Sequence, residues 1–139
     1  MLTMNISDIE EKIKMILVDK LFPKLIYVFG STNQNRVRDD SDIDIAILTD
    51  QDIDEYKLYL ISQQLADVLK REVDLIDLKK VSTVFKAEVF KTGRLIYHSD
   101  NLVKMNFQLG ILQEYVFLNE RRKEVIYKLK SRNQKGAKV

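Results

Sequence analysis

Apolar residues fall at two periods along this chain, and the alternation between them predicts its elements. Ile6, Ile9, Ile13, Ile16 and Leu17 recur at helical spacing with Glu10, Glu11, Lys12 and Lys14 between them, and Asn5 or Ser7 is placed to cap the start. Pro23 closes the connection into Leu25-Ile26-Tyr27-Val28-Phe29, an apolar run short enough for a buried strand. A polar segment follows, and then Asp42-Ile43-Asp44-Ile45-Ala46-Ile47-Leu48 alternates as a second strand. Leu58, Ile61, Leu65, Val68 and Leu69 mark a second helix between Asp52 and Lys70, with Asp52 or Asp54 as its cap. Val73 to Leu78 is a third strand, Val81 to Thr92 a short helix with Ser82 or Thr83 at its start and Gly93 at its end, and Arg94 to Tyr97 a last strand. From Leu102 to about Lys130 one long helical pattern carries apolar residues on more than one side, so several faces need cover and a partner chain is expected. The final nine residues, from Ser131, read as a frayed end.

These elements predict an α+β fold, a two-layer sandwich in which a mixed sheet of about four strands carries helices packed on it, with a long C-terminal helix. At 139 residues the chain suits one domain. We expect residues 1–99 to form the catalytic unit, with 100–139 a C-terminal helix and basic tail of the same domain. Composition changes this picture little: 45% hydrophobic and 32% charged residues are ordinary for a globular protein. The lack of cysteine excludes disulfides, thiolate metal sites and a thiol nucleophile, and it is compatible with a cytoplasmic location. No apolar run reaches the roughly 20 residues of a membrane-spanning helix, and no secretory signal pattern opens the chain. A net charge of +2 makes no case for direct nucleic-acid binding; the basic character is local to Arg121–Val139, with eight Lys or Arg against Glu124.

The chemistry concentrates between Gly30 and Asp44. Gly30-Ser31 at the end of the first strand offers backbone N–H groups and a hydroxyl, the donors a phosphate takes. Asp42 and Asp44, at i and i+2 on a strand, share one face. Magnesium takes carboxylate, phosphate and water oxygens, and a pair of such ions serves in-line displacement at phosphorus. A third carboxylate from the neighbouring strand would complete the site: Asp74 is the candidate, with Asp77 in reserve, because an odd spacing sends the two to opposite faces. Arg36 and Arg38, in the polar loop, are candidates for phosphate contact. His98 has no second ligand nearby in sequence and reads as a strand-end surface residue.

The pattern G-S-x10-D-x-D, with the V-D-L-I-D-L strand and the Gly93–Tyr97 ending, resembles the DNA polymerase beta nucleotidyltransferase superfamily, and within it the minimal nucleotidyltransferase (MNT) antitoxins paired with HEPN toxins. The resemblance runs from the first helix to about Tyr97. It implies the nucleotidyltransferase fold, with Gly30 and Ser31 as the phosphate-binding turn, Asp42, Asp44 and Asp74 as metal ligands and catalytic acids, and ATP with two Mg2+ ions as substrate and cofactor. It also implies transfer of AMP to a tyrosine hydroxyl of a HEPN ribonuclease partner. Relatives commonly carry an Ala-Arg-Gly-like run soon after the Gly-Ser, where this chain has Thr32 to Arg36, TNQNR. Two alternatives stay open: an antitoxin that only occludes its toxin, and a transferase acting on a small molecule or RNA end.

Overall fold

The structure is a computed structural model that describes residues 5–29 and 42–136. Along the chain run α1 (Ile6–Leu21), β1 (Leu25–Phe29), β2 (Ile43–Leu48), α2 (Glu55–Leu69), β3 (Val73–Asp77), α3 (Thr83–Thr92), β4 (Arg94–His98) and α4 (Asn101–Gly136), with a 3-10 turn at Leu78–Lys80. Each predicted element is present within a few residues. The frayed end is the exception, because α4 continues past Ser131 to Gly136.

Side-chain caps start the helices where the sequence offered them. Asn5, Asp54 and Ser82 accept from the N–H of Asp8, Lys57 and Phe85 at 2.8, 2.6 and 3.1 Å, and Asp100 accepts from Val103 N–H at 2.8 Å at the start of α4. α1 and α2 both end at a left-handed residue that is not glycine, Phe22 and Lys70.

The sheet order is β3-β2-β1-β4. β1 lies antiparallel to both β2 and β4, whereas β2 and β3 are parallel, so the sheet is mixed. The β2–β3 crossover contains α2, as a parallel pair requires. Alternation along the strands splits the core in two. On one face Ile26, Val28, Ile43, Ile45, Ile47, Val73 and Leu75 meet Ile9, Ile13 and Leu17 of α1 and Ile61 and Leu65 of α2. On the other, Leu25, Tyr27 and Ala46 meet Leu78 and Val89, with Phe85 of α3 and Val103 and Phe107 of α4 half-buried against them. The rings of Tyr27 and Phe107 lie 6.3 Å apart, and Phe29 meets Phe85 edge to face at 5.9 Å. Burial pushes the Tyr27 phenol upward in pKa, partly offset by its hydrogen bond with Gln108.

Gly93 ends α3 for a steric reason. Its φ of −82° is open to any residue, but an added Cβ would sit 2.4 Å from the carbonyl oxygen of Val89, which its own N–H contacts at 2.7 Å. The long helix is only partly covered: Ile111 is buried, whereas the majority of the apolar residues between Leu112 and Leu129 are exposed.

Candidate active site

The acids meet because β2 and β3 are parallel and in register. Asp44 lies directly opposite Asp74, and both alternate away from the isoleucine and valine face that packs on α1 and α2. They therefore share the sheet face that also carries Tyr27, Ala46 and Phe107's packing. Phe29, the last residue of β1, lies opposite Asp44 on the other side. Asp42 stands exposed immediately before β2, whose entry is fixed by Ile43 N–H donating to Glu72 C=O at 2.9 Å.

Electrostatics record the crowding. The Asp44 carboxyl is raised above its ordinary pKa, first by burial, then by the charges of Asp74 and Asp42, and last by a hydrogen bond with the Asp74 side chain. A carboxyl raised by two neighbouring carboxylates marks a donor set that a hard divalent cation relieves. Asp42, Asp44 and Asp74 thus fit magnesium in chemistry, although among the described residues no three acidic or histidine side chains are gathered closely enough to enclose an ion on their own. The remaining ligands would come from substrate phosphates and water, as is usual for this ion.

Asp77 stands apart. It is 3% exposed, lies opposite Ile47 on the other sheet face, and accepts from Lys79 N–H at 3.0 Å through Oδ1. Its role is to start the 3-10 turn, after which Lys79 Nζ donates to Gln51 C=O and Lys80 Nζ to Ile53 C=O, both at 2.6 Å. These two lysines tie the end of β3 to the connection after β2 and so brace the strand pair that carries the acids. Thr49, just after β2, anchors that strand to the end of α1, donating from Oγ1 to Leu21 C=O at 2.9 Å. Sequence inspection did not single out these bracing residues; two lysines after an apolar strand look like surface charge. Gly30, Ser31, Arg36 and Arg38 lie outside the described residues. His98 ends β4, exposed.

Comparison with known proteins identifies the family of this fold. A family model described as polymerase beta, nucleotidyltransferase, matches residues 11–102. The protein adenylyltransferase MntA of Shewanella oneidensis is 34% identical over 119 residues, covering 84% of each chain. Among solved structures, a chain from the complex of tri-AMPylated Shewanella oneidensis HEPN toxin with MNT antitoxin has a TM-score of 0.74 and 30% identity, covering 89% of this chain and 98% of that one. A chain from a toxin–antitoxin structure with AMP-PNP has a TM-score of 0.72 and 34% identity, covering 86% and 97%. This chain belongs to the polymerase beta nucleotidyltransferase family, among its minimal MNT-type members.

Proposed function

We propose that this protein is an antitoxin adenylyltransferase that transfers AMP from ATP to a tyrosine hydroxyl of a HEPN ribonuclease toxin and so neutralises it. The observation that carries this reading is the in-register pairing of Asp44 with Asp74, with Asp42 at the same strand end. The relatives' adenylyltransferase name, their HEPN complexes and their AMP-PNP-bound form support the substrate and partner.

Asp42, Asp44 and Asp74 would hold two Mg2+ ions, which when bound supply positive charge at the reacting phosphate and lower the pKa of the attacking hydroxyl. Gly30 and Ser31, with Arg36 and Arg38, would hold the nucleotide phosphates. In the transfer a bond forms from the tyrosine oxygen to the α-phosphorus and the bond from that phosphorus to the bridging oxygen breaks. Pyrophosphate leaves with that electron pair, and the hydroxyl proton is released. The chain's own part is to fix two acids on adjacent strands, so that their mutual repulsion is already in place before the nucleotide arrives. We read residues 1–99 as the catalytic unit and 100–139 as its extension within one domain. No helix among the described residues is long and apolar enough to cross a membrane, and we place the pair in the cytoplasm on the cysteine-free composition.

The test is incubation of the chain with α-labelled ATP, magnesium and its HEPN partner. Label is expected on a toxin tyrosine, falling in Asp42→Asn by more than the ~10–100-fold that changes around a metal's ligands cost. An unlabelled toxin would sink the enzymatic reading. Continued neutralisation by Asp42→Asn would instead favour occlusion, the reading that the exposed apolar surface of α4 keeps in view.

A further inference from the structure

Among the described residues, α4 is attached to the rest of the fold along one side. Val103, Phe107 and Ile111 pack inward, and Thr83 Oγ1 donates to Glu114 at 2.9 Å across the α3–α4 contact. On a second side Leu102, Met105, Leu109, Leu112 and Val116 follow one another at steps of three, four, three and four. All five are exposed, from 48% at Leu112 to 67% at Leu102. That spacing is the 3.5-residue seam by which one helix receives the side chains of another, and it runs for two heptads until Asn119 and Lys123 interrupt it. A solvated helix needs no such seam, and nothing among the described residues covers it.

We propose that this seam is the docking surface for the HEPN toxin and that it receives one of the toxin's helices; the proposal rests on the toxin being the partner, as read above. Two observations favour the toxin over another occupant. First, a chain solved in complex with a HEPN toxin matches 89% of this one, and the residues left over are fewer than the 36 of α4, so part of that helix belongs to the architecture shared with a toxin-bound protein. Second, α4 packs through Phe107 onto Tyr27, on the sheet face that carries Asp44 and Asp74. A partner seated on α4 is therefore on the side of the sheet where an acceptor must enter. Five large apolar side chains, each about half exposed, also provide the central cluster around which a standard interface of ~800 Å² per partner is built.

The experiment measures toxin binding by Leu109→Glu/Leu112→Glu in the full chain. Because both positions are exposed, the circular dichroism spectrum and melting temperature should match the unmutated protein, while toxin affinity falls at least ~100-fold, as paired hot-spot losses do. In parallel, hydrogen exchange on the unmutated complex should show protection over 102–116. Wild-type affinity in the double variant, or no protection of that segment, would overturn the proposal. So would a seam that holds a second copy of this chain, seen as a dimer broken by the same changes with toxin binding intact. A toxin bound through the seam but never labelled would leave the docking surface standing and remove the enzymatic reading, so the two fail separately.

Discussion

Asp44 shows how a single side chain can work against the fold that holds it. Its carboxyl is raised above the ordinary value of 3.8, so the folded chain binds that proton more tightly than the unfolded chain does. Its contribution to stability is therefore favourable at low pH and is lost as pH rises through the raised value. Asp74→Asn removes one source of the repulsion. In urea melts without magnesium, this variant should gain stability relative to the unmutated chain as pH rises above 4 toward neutrality, with Asp44 titrating lower, while AMP transfer falls. Gly93 and Gly110 divide in the same local way. Gly93→Ala forces a Cβ against the Val89 carbonyl and should cost ~1–3 kcal/mol in denaturant melts. Gly110→Ala puts a methyl into open space on α4 and should gain up to ~1 kcal/mol. At Gly93 the sequence correctly marked the end of α3, but the crowding that demands glycine comes from α3's own carbonyl and no turn conformation, which composition alone does not reveal.

At the scale of elements, what was legible depended on whether a segment carries its own partner information. α1, α2 and α3 announced their starts through Asn5, Asp54 and Ser82, because a cap is a contact three residues long. The alternation in β3 correctly sent Asp74 and Asp77 to opposite faces, since the strand period is local. Which of them meets Asp44 followed from the parallel register with β2, a long-range pairing across α2 that neither strand specifies alone. α4 was legible as an apolar helix but not in its surroundings. Its pattern asks for cover on several sides, and among the described residues only the line through Val103, Phe107 and Ile111 receives it. Gly30 to Ser41, the most informative stretch of the sequence, lies outside the described residues, so the phosphate-binding role proposed for it rests on pattern and family.

For the whole molecule, the acid edge should make stability depend on its ligands. A ligand that binds only the folded state raises stability by RT ln(1 + [L]/Kd), ~2.7 kcal/mol at a hundredfold excess over Kd. Magnesium with AMP-PNP is expected to raise the melting temperature of the unmutated chain, and chelation should reverse the gain. In Asp44→Asn the ligand-free melting temperature should rise while the ligand-induced increment shrinks; an undiminished increment would place the cation elsewhere. The bracing of β2 and β3 by Thr49, Lys79 and Lys80 holds the strands that carry the acids, and the partial cover of that same sheet face leaves room beside them.

The one-sided attachment of α4 changes the kinetics as well as the shape. With a toxin seated along that helix, the acceptor tyrosine no longer arrives from bulk solution. It meets the nucleotide at an effective concentration on the order of millimolar, whatever the cellular amount of either protein. Turnover then scales with how many toxins are held, and the product of one transfer remains beside the site, available for the next, until the helix lets go.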